Sequence, residues 1–318
     1  MVAARGGVQE SVHRVIAAVV DADGRLVRSW GDIDRITLLR SAAKPFQALP
    51  LVEDGVDREY GLTEPEIALC AASHNSEDVH IEAAASILAK IGLEEAHLFC
   101  GSHPPLLPGR EAEIVASGGS LSPIMSNCSG KHAGMLALAV HHGWKVDGYQ
   151  RMEHPVQHRM ASEIARWSGV HESSLAREVD GCGVPCFGVP VKTLALATAR
   201  FAAASAAGGS AGAIVNAMMR NPFMVAGTGR LCTALMSEPE VGVFAKVGAE
   251  GVYIAGSPKH GIGVALKVED GAWRAAPPAL LGVLSAVDLL ADDALIAFRS
   301  PAVLNTVGSR VGRLSVRL

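Results

Sequence analysis

The hydrophobic pattern changes character twice along the chain. Near the start, His13–Asp21 is a run of β-branched and small apolar residues. It is followed by the turn-forming Asp21-Ala22-Asp23-Gly24 and then Arg25–Trp30. Two such runs around a turn predict a β-hairpin. Near the other end, Gly242–Val247, Gly251–Ile254 and Ile262–Val268 are short valine-rich runs separated by glycines. Glu269-Asp270-Gly271 followed by Ala272–Arg274 reads as a second hairpin signal, and Val303–Leu318 also reads as strand. Between the ends the period is helical. Thr63-Glu64-Pro65 offers an N-cap with acids in the first turn, and Ser76 caps a segment running to Gly92. Lys131–His142 stops at Gly143, which suits a C′ position. Glu153–Trp167, Val191–Ala206, Ala211–Met219 and a stretch from Pro277 to Leu290 follow.

A terminal hairpin alone is marginally stable, so strands at both ends are most economically joined in one sheet. The expected fold is α/β (α+β): an antiparallel sheet from about 10–35 and 240–318, flanked by helices, with a mainly helical central region over about 60–235. The whole of 1–318 is read as one catalytic unit, and 318 residues suffice to bury a full core.

Composition narrows the function. Hydrophobic residues make up 49% and charged residues 19%, which excludes disorder. The longest apolar runs, such as Val15–Val20 and Met135–Val140, fall far short of the roughly 20 residues a spanning helix needs, so no membrane partner is expected. Met1–Glu10 has no signal-peptide pattern, which points to a cytoplasmic location. Net charge is −4 with the signs interspersed and aromatics are 4%, so no nucleic-acid partner is expected. The six cysteines (Cys70, Cys100, Cys128, Cys182, Cys186 and Cys232) read as thiols or metal ligands rather than disulfides.

Three short segments carry candidate chemistry. In Ser41-Ala42-Ala43-Lys44 the serine and lysine share one helix face, and a lysine neutralised by burial can take a serine proton. Each residue also has an ordinary reading, Ser41 as an N-cap and Lys44 as a solvated cation. Ser73-His74-Asn75 and Lys259-His260-Gly261 follow, so the chain offers S-x-x-K, S-x-N and K-x-G in the motif order of serine β-lactamases and penicillin-binding proteins. A second constellation pairs Asn127-Cys128-Ser129-Gly130-Lys131-His132 with Asp180-Gly181-Cys182-Gly183-Val184-Pro185-Cys186. Its thiols suit Zn²⁺, a thiol nucleophile at Cys128, or plain core packing. Asn221–Arg230 places glycines before a helix and could cradle an anion, without matching any nucleotide fingerprint. Glu10, Ser11 and His13 could line a site or form a polar strand end.

Taken jointly, these segments resemble the rhizobial-type L-asparaginase family (L-asparaginase II). The resemblance extends from Glu10–His13 through Arg40–Gln47, Ser73–Asn75, Cys100-Gly101, Asn127–Lys131, Asp180–Pro185, Asn221-Pro222, Ala226–Arg230 and Ser257–Gly261 to Val303–Asn305 and Val311-Gly312. It implies a fold similar to serine β-lactamases and glutaminases, hydrolysis of L-asparagine to L-aspartate and ammonia, and a homodimer. It implies Ser41 as nucleophile with Lys44, and Ser73 with Lys259 as a second pair. Arg40, Asp180 and His132 fall to substrate contact, and Cys128, Lys131 and Cys182 to zinc. A lysine ligand must be neutral, and rests on the resemblance alone. The rival readings are a β-lactamase-like or glutaminase-type amidohydrolase, a Cys128-dependent hydrolase, and a non-catalytic zinc- or amino-acid-binding protein.

Overall fold

The computed structural model describes residues 1–238 and 240–317. Leu318, the last residue of the expected sheet range, lies outside the described residues. The strands are β1 (Val2–Arg5), β2 (Val8–Val12), β3 (Val15–Asp21), β4 (Leu26–Trp30), β5 (Ile36–Leu38), β6 (Ala176–Val179), β7 (Pro185–Pro190), β8 (Phe244–Gly248), β9 (Val252–Ser257), β10 (Ile262–Val268), β11 (Ala302–Leu304) and β12 (Arg310–Ser315). The fold is mixed α and β with antiparallel sheets. The central five-stranded sheet has the order β4-β3-β10-β9-β8. Its join is the β3–β10 pairing, in register from Asp21↔Ile262 to Val15↔Val268, which ties the two ends of the chain together. The β3–β4 turn closes as its sequence requires: Gly24 sits at φ 91°, and the Asp21 carboxylate accepts the Arg25 N–H at 2.8 Å.

The expectation of one sheet needs correction. The extreme termini form a separate four-stranded sheet, β11-β12-β1-β2, and the central region holds a three-stranded sheet, β5-β7-β6. The segment Ala272–Arg274 is also not a strand. After the turn at Gly271 the chain enters a 3-10 turn (Trp273–Ala275) and the helix Ala276–Ser285. The prolines Pro277 and Pro278 favour that helix start, where a missing N–H is harmless. Ser11 and His13 hold this segment: Arg274 donates to Ser11 Oγ and to His13 Nε2, and His13 Nδ1 lies 2.7 Å from Asp270.

The helices follow the expected spans closely. Thr63 caps the helix Glu64–Cys70 in a capping box with Glu66. The helix Val191–Ala206 packs across β3, β9 and β10. β3 and β10 are buried on both faces, which is why they read as continuous apolar runs rather than alternating ones. Among the described residues no helix is long and apolar enough to cross a membrane.

Gly263 on β10 marks the tightest helix–sheet contact. A Cβ there would lie 2.2 Å from Ala199 N and 2.3 Å from Ala195 O, both backbone atoms of the covering helix. Gly263→Ala is therefore expected to lower the unfolding free energy by about 1–3 kcal/mol, as overpacked sites do. Equilibrium urea unfolding checks this, and an unchanged midpoint would show that the helix can shift at no cost.

Candidate active site

Ser41 lies in a 3-10 turn (Arg40–Ala43) just after β5, and Arg40 before it sits at φ 49°, left-handed for a non-glycine residue. Such backbone persists only where its surroundings hold it. Here Leu39 N–H donates to Phe187 O on β7 at 2.8 Å, and Arg40 Nε donates to Asp180 Oδ1 at 2.7 Å. The last residue of β8 presses on the same turn: a Cβ on Gly248 would meet Leu39 O at 2.8 Å and Ala42 N at 3.2 Å. Glycine is what lets the sheet approach the serine so closely. Ser41 borders two adjoining cavities of about 480 Å³ and 330 Å³ that also share Leu106, Asn127 and Ala249.

Ser73 closes the inner wall. Its hydroxyl accepts from two buried lysines, Lys44 Nζ at 3.0 Å and Lys246 Nζ at 2.8 Å. Lys44 is 1% exposed and also donates to the carbonyls of Ala72 and, at 3.5 Å, Asn127. Burial and nearby positive charge push both lysines below the ordinary lysine range, Lys246 most strongly through burial and the neighbouring Lys44. Both shifts favour loss of the proton, which makes these two lysines the candidate bases of the site.

Lys259 is not part of this cluster. It is exposed on the β9–β10 turn, beyond the Ser257 end of β9, whereas Gly248 at the site pairs with Val252 at the opposite end. The lysine beside Ser73 is Lys246, in the interior of β8. The tripeptide Lys246-Val247-Gly248 repeats the K-x-G spacing, which the chain holds three times, the third being Lys90-Ile91-Gly92 at the end of the helix Asp78–Lys90. The one on the strand reaches the site because the residue two positions on must be a glycine to clear the serine turn.

Asn75 of S-x-N does not enter the cavity. It is fully buried, accepts from Arg230 Nη1 at 2.7 Å and donates to Thr228 O, fastening the 227–230 loop to Ser73. Ser76 is not the helix cap expected. It adopts φ 64° and donates to Met125 O, while Glu77 occupies the N-cap of the helix Asp78–Lys90.

The second constellation converges on the smaller cavity. Asp180–Gly183 is the turn of the β6–β7 hairpin, with Gly183 at φ 87°, and Cys128 directly precedes the helix Ser129–His141. Lys131 Nζ lies 2.9 Å from Cys182 Sγ, and both are buried. A hydrogen bond from Cys182, opposed by burial and aided by the Lys44 and Lys131 cations, holds the Cys128 thiol well below its usual range. The same bond and burial raise Cys182. Burial opposes the charge of Lys131, yet Cys182, Cys128 and Asp180 raise its pKa. Two sulfurs and one amine thus lie together, but the amine is held as an ammonium, so the set could take a tetrahedral zinc ion only once Lys131 gave up its proton. Among the described residues no group of three or more His, Cys, Asp or Glu could hold a metal, so any such site depends on the lysine.

His132 is fully buried behind this cluster, with Nδ1 2.6 Å from Tyr149 OH and Nε2 without a partner; it borders neither cavity. Arg40 and Asp180 do border the smaller one, but as a mutual ion pair. Cys186 lies buried on β7, and the cysteines are free thiols. The residues sequence reasoning missed are Lys246, hidden in a valine-rich strand, and His103, whose Nε2 accepts the Asn127 N–H beside Ser41.

Among curated proteins none matches. Solved structures that are similar include Mglu in its native form, at 18% identity and TM-score 0.40 over 89% of this chain and 63% of that one. Mglu in its L-glutamate binding form follows at 19% identity and TM-score 0.40, over 92% and 64%. A β-lactamase from Mycobacterium bovis shares 14% identity at TM-score 0.38, over 87% and 96%. The chain thus spans under two thirds of the length of these Mglu chains. The sequence profile described as L-asparaginase II matches residues 1–316. With a match over nearly its whole length, the chain belongs to the L-asparaginase II family.

Proposed function

We propose that the protein hydrolyses L-asparagine to L-aspartate and ammonia through a serine acyl-enzyme. The observation that carries this reading is the serine hydroxyl of Ser73 held between two buried lysines beside a cavity that also exposes Ser41. Ser41 Oγ attacks the side-chain amide carbon, forming a C–O bond as its proton passes, directly or through Ser73, to a neutral lysine. The backbone N–H groups of Ser41 and Ala249 are the oxyanion donors in this reading. Neither donates to another group among the described residues, and such a donor is worth about 10²–10³ in rate. Collapse breaks the C–N bond, and the nitrogen takes the proton from the lysinium and leaves as ammonia. Water then attacks the ester, giving its proton to the same lysine, which returns it to Ser41.

Zinc, in this reading, is held by Cys128, Lys131 and Cys182. When bound it supplies a positive charge that draws the polar end of a ligand toward the smaller cavity. The Arg40–Asp180 pair acts on the protein itself, holding the strained residue before Ser41 in place. A homodimer and a cytoplasmic setting belong to the same proposal and rest on the family resemblance and on the sequence.

The nucleophile and the base are separable by substitution. Ser41→Ala should abolish ammonia release from L-asparagine, and Lys246→Met should lower kcat by about 10²-fold or more, as expected for lost acid–base catalysis. Lys259→Ala should stay within about twofold of wild type on the scale of ordinary surface changes. Loss of activity in Lys259→Ala with retention in Lys246→Met would reverse the assignment.

The buried lysines also set two pH dependences. A base must be neutral, so kcat/KM should fall as pH drops through the lowered lysine range, with its acid limb well below the ordinary lysine value of about 10.4. For stability, a lysine depressed in the folded state binds fewer protons folded than unfolded, so it lowers stability at neutral pH and stability rises toward the unfolded lysine pKa. Lys246→Met should therefore raise the melting temperature at pH 7, with a gain that shrinks as pH approaches about 10. A lower melting temperature at pH 7 would show that the lysine is not held neutral.

For the metal, zinc content of the purified protein should approach one per chain and fall to background in Cys182→Ser. Equal zinc in the two proteins would move the ligand set elsewhere.

A further inference from the structure

The mechanism leaves one cation of the larger cavity unused. Arg230 borders that cavity together with Ser41 and Ser73, in the 221–230 segment whose glycines suggested an anion cradle. Its position is fixed from three sides. Nη1 donates to Asn75 Oδ1 at 2.7 Å and to Ser73 O at 3.4 Å, and the guanidinium stacks over the Trp273 ring at 5.3 Å. The loop before it has no freedom to move away. Thr228 N–H and Oγ1 both donate to Glu77, and a Cβ on Gly227 would collide with the Glu77 carboxylate and the Asn75 amide.

The other guanidinium nitrogen, Nη2, is buried and has no hydrogen-bond partner. A buried charged donor without an acceptor is costly, and a carboxylate is the acceptor whose shape matches two guanidinium N–H groups. No carboxylate pairs with Arg230 among the described residues, whereas Arg40 on the opposite side is already neutralised by Asp180. We infer that Arg230 is the anchor for the substrate's α-carboxylate, so that the enzyme selects amides of free amino acids over amides lacking that group. This inference rests on the asparagine reading above and assigns the residue that makes it specific. Trp273, half exposed at the cavity mouth, is the side chain that would give way as the carboxylate enters.

The test compares L-asparagine with 3-aminopropanamide, the same molecule without its α-carboxylate. Wild type should prefer L-asparagine by roughly 10²-fold in kcat/KM, the scale of charge-assisted hydrogen bonds. Arg230→Ala should lose most of that preference, chiefly through a higher KM for L-asparagine, while turnover of 3-aminopropanamide changes by under about threefold. An equal fall on both substrates would overturn the anchor and leave Arg230 a support for Ser73. If Arg230→Ala does not fold, Arg230→Lys decides on the same ratio, with an intermediate preference expected and an unchanged one overturning the proposal. If wild type hydrolyses neither amide, the asparaginase reading fails, and titration with L-aspartate then tests the anchor alone. Binding by wild type that weakens at least about 30-fold in the variant supports it, and equal binding or none overturns it.

Discussion

Burying two lysine ammonium groups side by side on one hydroxyl is costly in their charged form. Lys44 and Lys246 are nevertheless buried there, 3.0 Å and 2.8 Å from Ser73 Oγ. Burial lowers the pKa of both, Lys131 adding to it at Lys44 and Lys44 at Lys246. Much of the architecture serves to bring them together. Lys44 arrives on the turn after β5, Lys246 on the edge strand of the central sheet, and Ser73 at the end of the helix Glu64–Cys70 region. Three separate parts of the chain must register to within hydrogen-bond distance, which the β3–β10 pairing and the helix Val191–Ala206 achieve by locking the sheet to the helical region.

The same junction explains where glycine is required. Gly248 lets β8 lean on the turn that carries Ser41, and Gly130, whose Cβ would lie 2.4 Å from Leu69 O, lets the helix bearing Lys131 cross the one that leads to Ser73. The site is thus assembled by close backbone approaches on two sides, and the strain recorded at Arg40 (φ 49°) sits where they meet. An ion pair to Asp180, on the β6–β7 hairpin of the sheet that β5 joins, keeps that residue in place.

The sequence made the helices, the valine-rich strands and the S-x-x-K turn legible because each depends on local pattern: a capping box at Thr63, a turn at Asp21–Gly24, a period of 3.6 from Val191 to Ala206. The grouping of Cys128, Lys131 and Cys182 came from the family resemblance rather than from local pattern; in the fold Lys131 Nζ lies 2.9 Å from Cys182 Sγ. Partition between sheets was not legible. β1, β2 and β12 are short strands, β2 and β12 more polar and exposed than β3 and β10, and only long-range register shows that they form a sheet of their own. Lys246 was missed for a related reason. In a strand buried along its whole length a single lysine reads as an interruption, whereas Lys259, next to proline, histidine and glycine, looks like a motif. Which K-x-G serves depends on which end of β9 faces the serine, and that is a property of the sheet.

The charges around the site sort into compensated and uncompensated ones, and this division gives the pocket its selectivity. Lys131 is offset by two sulfurs and Asp180, and Arg40 by the same aspartate. Lys44 and Lys246 can shed their charge, because burial lowers the pKa of both. Arg230, the cation that borders the larger cavity, has neither remedy: a guanidinium does not deprotonate in a protein, and an aromatic face and two carbonyl-type acceptors satisfy only part of it. A neutral amide entering the cavity would leave that deficit as it stands. A substrate that carries its own carboxylate removes it on binding, so the discrimination follows from what the empty pocket lacks and needs no steric exclusion of smaller amides.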